Sequence, residues 1–170
     1  GVITILRAMG ADSEVSQART VGGEPVADLR IRYAPLRGID IPVEEVPLAI
    51  DELPAILVAA ACAEGVTVLR GAEELRVKES DRIASMAEGL TQLGIGNTVA
   101  PDGITVVGGT PSGGVITTHH DHRIAMSFAM AALRASDPII VTDCAHVATS
   151  FPGLAELAAN TGLRLTVTAS

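Results

Sequence analysis

An α/β fold in which buried, alanine-rich helices lie inside a shell of sheets is the architecture this sequence predicts, and three observations point to it. Nearly half of the 170 residues are apolar (48%), yet Tyr33, Phe128 and Phe151 are the only aromatics. The core must therefore be made of Ala, Val, Ile and Leu, side chains that let helices approach strands closely. Strand-like and helix-like runs alternate along the chain, as layered α/β proteins require. The pattern also repeats: Asp51 and Asp121 open two apolar helices 70 positions apart, and Gly94 and Gly162 close two amphipathic ones 68 apart.

Taken in order, residues 1–10 predict a helix with Val2, Ile5, Leu6 and Met9 on one face, closed by Gly10. Strands at Glu14–Thr20 and Ala27–Tyr33 follow around a Gly22-Gly23 turn. Pro35, Gly38, Pro42 and Pro47 then interrupt any regular element and mark an internal linker. Asp51 is expected to cap the next helix, with Pro54 in its first turn, and Leu53–Ala63 is apolar on every side, which predicts burial. Gly65 ends it. Val66–Arg70 reads as a strand, Gly71–Ser80 as a loop, and Asp81–Leu93 as a helix stopped by Gly94. Asn97–Ala100 and Ile104–Val107 predict a hairpin over Pro101-Asp102-Gly103. The glycine-rich 108–114 has neither P-loop spacing nor a following lysine, so it reads as a flexible connection. The pattern then restarts with a strand at Val115–Thr118 and a helix capped by Asp121 that runs to about Leu133. Ile139–Thr142 is a strand, Cys144–Ser150 a loop, Gly153–Asn160 a helix and Leu163–Thr168 a closing strand. The chain thus divides into the end of a truncated repeat plus linker (1–47), a second repeat (48–108) and a third (109–170). Because it begins inside what reads as a helix, it is expected to be a piece of a longer protein.

A formal net charge of −8 argues against a nucleic-acid or anionic-membrane surface, so any anion must be held by locally gathered cations. Cys62 and Cys144 lie in separate apolar runs and form no disulfide framework, which favours a reducing cytoplasm. No apolar run reaches membrane-spanning length.

Two charged knots stand out against this background. Arg76-Val77-Lys78-Glu79-Ser80-Asp81-Arg82 holds the only lysine in the chain and ends at a helix N-terminus, with Ser80 or Asp81 as cap. Arg82 in the first turn is electrically odd, because the free N–H groups there already favour an anion. A pocket for an anion explains it; so does a solvated charged helix start with i,i+3 pairs. His119-His120-Asp121-His122-Arg123 repeats the oddity at the next apolar helix. Consecutive histidines converge poorly on one ion, so a capping Asp121 and an anion-facing Arg123 are favoured over a metal site. Asp51 is most simply a cap, although a rigid carboxylate at a helix mouth is also placed to take a proton from a hydroxyl, with Glu79 as a matching acid.

These two knots, together with Asp51-Glu52-Leu53-Pro54, resemble the signatures of the 5-enolpyruvylshikimate-3-phosphate (EPSP) synthase family; the second continues as Asp121-His122-Arg123-Ile124-Ala125-Met126-Ser127-Phe128. The resemblance runs over essentially the whole chain and implies the C-terminal portion of an inside-out barrel of repeated βαβαββ units. It implies transfer of the enolpyruvyl group of phosphoenolpyruvate to the 5-hydroxyl of shikimate 3-phosphate, through a tetrahedral ketal, with no cofactor and no metal. Asp51 matches the carboxylate that holds and deprotonates the attacking hydroxyl, and Glu79 the one that handles protonation of the methylene carbon. Lys78, Arg82 and Arg123 match cations around phosphoenolpyruvate and its leaving phosphate, and His122 belongs to the same substrate-binding motif. The family's N-terminal half, with a catalytic lysine, a phosphoenolpyruvate-binding arginine and most shikimate-phosphate contacts, has no counterpart here, so the chain is expected to be inactive alone. Two departures matter. Many members carry a lysine near Thr149, and Val147-Ala148-Thr149-Ser150 resembles instead the glyphosate-tolerant class; Glu74 replaces an asparagine that contacts substrate in some members. The rival readings are an enolpyruvyl transferase acting on UDP-N-acetylglucosamine and a non-catalytic α/β scaffold that keeps the motifs as helix caps.

Overall fold

The computed structural model describes residues 1–168; Ala169 and Ser170, the end of the expected third repeat, lie outside the described residues. The chain opens with helix α1 (Val2–Ala8) and the antiparallel strands β1 (Asp12–Val21) and β2 (Glu24–Arg32), which pair from Asp12↔Arg32 to Val21↔Glu24. The bare turn Gly22-Gly23 joins them, as its composition predicts. The hairpin keeps both faces largely in solvent, including Val15, Leu29 and Ile31.

The stretch around Pro35–Pro47, expected to be a linker, is stitched into the body. Gly38 N–H donates to Glu64 O (2.8 Å), and Val68 N–H and Ile41 N–H exchange bonds with Ile39 O and Val68 O (2.9 Å each), so 36–41 runs parallel to the next strand. Ile41, Val46 and Ala49 are buried there. Prolines rule out a long regular element but leave carbonyls free, and short 3-10 turns at Val43–Glu45 and Pro47–Ala49 carry the chain onward.

Helix α2 (Leu53–Ala61) is buried on nearly every side, as its unbroken apolar sequence requires. Strand β3 (Val66–Leu69) follows, then a 3-10 segment at Glu73–Val77 inside the expected loop, and helix α3 (Arg82–Gln92). β4 (Asn97–Ala100) and β5 (Gly103–Val107) form the expected hairpin, and the sheet order is β3-β5-β4, antiparallel throughout. The glycine-rich connection is pinned: Gly108 N–H donates to Gly65 O, Gly109 N–H to Ala61 O and Ser112 N–H to Leu93 O, at 2.8, 2.9 and 2.8 Å. β6 (Gly114–Thr117) and β7 (Ile139–Thr142) pair in parallel on either side of helix α4 (His122–Ala131). The single-turn helix α5 (Val147–Ser150) replaces the expected loop, and α6 (Leu154–Asn160) closes the regular structure. Leu163–Thr168 is not a strand: its alternating apolar residues pair with none of the three sheets among the described residues.

The core lies where α2, α3 and α4 touch one another, with β5 against α2 and β6 and β7 against α3 and α4. Leu53, Ile56, Leu57, Ile83, Met86, Leu90, Ile124 and Phe128 are buried there, each worth about 1.5–3 kcal/mol of transfer free energy. α3 and α4 approach closely because Gly89 faces Phe128: a Cβ at Gly89 would lie 2.2 Å from the ring. Packing three helices together in this way brings their N-terminal ends into one neighbourhood. Among the described residues no helix is long and apolar enough to cross a membrane.

Candidate functional site

The site grows from the helix starts. Asp81 caps α3, accepting from Ala84 N–H at 3.0 Å, and Asp121 caps α4, accepting from Arg123 N–H at 2.9 Å and Ile124 N–H at 3.4 Å. Asp51 does not cap α2. Glu52 occupies the cap position without a side-chain bond, because the 3-10 turn before α2 delivers the chain already in helical geometry. The Asp51 carboxylate is left free to turn outward, so Asp51 and Asp121, expected from their spacing to open equivalent helices, differ in local role.

Arg82 is the centre of the arrangement. Its guanidinium is 1% exposed and meets three carboxylates, each on a different nitrogen: Nε donates to Asp121 at 2.8 Å, Nη1 to Asp51 at 3.0 Å and Nη2 to Glu79 at 2.5 Å. Fixing a guanidinium by three charge-assisted bonds sets its plane as well as its position. Burial works against the charge on Arg82, but the bond and charge of Asp121, then Glu79 and Asp51, outweigh it and hold its pKa above the ordinary value. Burial likewise pushes the Asp121 carboxyl up; the bond and charge of Arg82, helped by Arg123 N–H and Ser80 Oγ, win and hold it below the usual carboxylate range.

Arg123 reaches the same place from α4, 72 positions away in sequence, donating to Asp51 O at 3.0 Å and to its carboxylate at 3.4 Å, with Glu52 3.6 Å off. Lys78 bonds Glu74 and lies 3.8 Å from Asp51. The bond to Glu74 raises its pKa, with burial opposing and the charges of Glu74 and Asp51 assisting. Asp51, Glu79, Lys78, Arg82 and Arg123 therefore stand together. His122 does not join them: it is half-buried in the first turn of α4 and makes no side-chain bond among the described residues. The other histidines go elsewhere, His119 Nε2 lying 3.0 Å from Glu88 and His120 meeting the His146 ring edge-on at 5.5 Å. Arg76 turns away from this cluster, donating to Pro101 O, Ala100 O and Asp81 at 2.7 Å each, and so ties the charged loop to the β4–β5 turn.

Two participants escape a reading of the sequence. Asp121 reads only as a cap, yet capping uses Oδ1 alone, and Oδ2 takes Arg82 and Ser80 Oγ (3.0 Å). A capping carboxylate announces a charged partner only once it is known to be buried. Ser80 is the second. Backbone strain marks the same corner: His119 and His120 hold φ of 51° and 62°, and the turn they make swings Asp121 inward from β6. Five carboxylates (Asp51, Glu52, Glu74, Glu79, Asp121) thus surround three cations (Lys78, Arg82, Arg123) at the mouths of three helices.

Comparison with known proteins shows what the chain as a whole is similar to. The family model "EPSP synthase (3-phosphoshikimate 1-carboxyvinyltransferase)" matches residues 1–157. The 3-phosphoshikimate 1-carboxyvinyltransferase of Methylococcus capsulatus is 64% identical over 98% of this chain, and that of Alkalilimnicola ehrlichii 63% identical over 98%. A solved EPSP synthase from Acinetobacter baumannii superposes with a TM-score of 0.96 at 54% identity, over 99% of this chain and 40% of that one. The enolpyruvyl transferase NikO from Streptomyces tendae, with a TM-score of 0.63 at 24% identity over 95% of this chain and 34% of its own, shares the fold. The chain spans 38% and 37% of the length of the two curated relatives. With its motifs, its mixed α/β fold and a family match over nearly its whole length, this chain belongs to the EPSP synthase family.

Proposed function

We propose that the chain forms the C-terminal wall of an enolpyruvyl transfer site, which moves the enolpyruvyl group of phosphoenolpyruvate to the 5-hydroxyl of shikimate 3-phosphate and releases phosphate. The observation that carries this reading is the meeting of Asp51, Glu79, Arg82 and Arg123 from three distant segments at one mouth. In it, Asp51 holds the attacking hydroxyl and takes its proton, and Glu79 delivers a proton to the methylene carbon of the enol. Lys78, Arg82 and Arg123 face the carboxylate and phosphate, where fixed positive charge is worth most as negative charge shifts toward the leaving group. No cofactor is needed for this addition and elimination.

Thr149 is exposed on α5, and its place in a segment where many members have lysine supports assignment to the glyphosate-tolerant class. Two free cysteines fit a cytoplasmic enzyme.

A chimera tests the function: this chain replaces the matching part of the Acinetobacter baumannii enzyme. Phosphate release from the two substrates is expected in the chimera, falling about 100-fold or more with Asp51→Ala, and none from this chain alone, which lacks the opposing wall. A folded but inert chimera would overturn the transferase reading, and turnover by the chain alone would overturn the half-site.

A further inference from the structure

We propose that Asp51 and Glu79 are exchangeable occupants of Arg82: they cover the two guanidinium nitrogens that a substrate oxyanion takes, while Asp121 keeps the third. Capture of the anion and release of the two carboxylates are then one exchange. The inference rests on the reading of Arg82 as an anion-binding residue and adds to it what must leave when the anion arrives.

Accessibility makes the exchange necessary. With its side chain 1% exposed, Arg82 offers no surface to a ligand oxygen while its present partners stay. Charge points the same way, since five carboxylates outnumber three cations and repel an incoming anion unless some withdraw. The three partners differ in which of them is able to withdraw. Asp121 is 0% exposed and holds Ser80 Oγ and two α4 amides besides Arg82, so moving it uncaps a helix and strands a buried charge. The side chains of Asp51 and Glu79 are 41% and 50% exposed. Glu79 has no other hydrogen bond among the described residues, and Asp51 has Arg123 at 3.4 Å and Lys78 at 3.8 Å to receive it. The two that leave are also the two assigned to proton transfer, so the exchange frees them for that work as the anion is seated.

Titration of the full 170-residue chain with sulfate, whose charge is constant near neutrality, tests the exchange. Glu79→Gln and Asp51→Asn are each expected to tighten sulfate binding about fivefold or more, because an amide competes poorly for a guanidinium. Glu52→Gln and Glu74→Gln remove the same charge from partners of Arg123 and Lys78 and are expected to change it by less than about twofold. In ¹⁵N spectra of the arginine side chains, sulfate should shift the Arg82 Nη signals and leave its Nε–H in place. Equal tightening in all four variants reduces the effect to general charge and overturns the exchange, as does unchanged or weaker binding in Glu79→Gln and Asp51→Asn. Sulfate that binds none of these chains removes the anion-site reading along with it.

Discussion

Asp121 does two things with one side chain, and a single substitution separates them. Asn keeps the capping acceptor but removes the charge that faces Arg82. Asp121→Asn is expected to cost about 3 kcal/mol in chemical denaturation, since it leaves a buried guanidinium without the one of its three counter-charges that is itself buried. Arg82→Met is expected to cost a similar amount by stranding Asp121. The double variant should cost clearly less than the sum, because neither buried charge is then left alone. The sign with pH follows from the carboxyl being held below its ordinary value. Its contribution is complete above about pH 4, the unfolded value, and is lost as acid protonates the folded form. Stability should therefore fall steeply below pH 4 in the parent and less so in Asp121→Asn, read as denaturation midpoints at pH 7, 4 and 3. Additive costs in the double variant, or parallel acid profiles, would contradict the pairing.

Among elements, the α3–α4 contact decides where the charged ends meet. Gly89→Ala gains about 1 kcal/mol of helix propensity. The added methyl would nevertheless lie 2.2 Å from the wholly buried Phe128 ring, and overpacking of that kind costs about 1–3 kcal/mol. The clash should win, so the variant is expected to melt below the parent; a higher melting temperature would show that the helices separate freely. Helix positions were legible from apolar periodicity and closing glycines, and the β4–β5 hairpin from Pro101-Asp102-Gly103. The backbone bonds that tie the 35–47 stretch and the glycine-rich connection to Glu64, Val68, Gly65 and Leu93 were not legible, because such bonds leave no side-chain pattern. Asp51 was misread as a cap for a similar reason, since the 3-10 turn before α2 removes the need for one.

For the molecule as a whole, the β1–β2 hairpin and the three-helix core mark opposite ends of a stability range. A two-stranded sheet solvated on both faces is marginal, so its amides should exchange with deuterium far faster than those of α2 and α3, whose opening demands disruption of the core. Comparable protection in both regions would mean that something covers the hairpin. The sequence by itself determined the fold class, the helices and the charged stretches that turned out to be neighbours, because local periodicity, capping and turn chemistry act within a few residues. Only the tertiary structure decided that Arg82 would be buried under Asp51, Glu79 and Asp121, which lie 31, 3 and 39 positions away. Which charges meet is set by how three helices pack, and packing is a property of surfaces that are far apart along the chain.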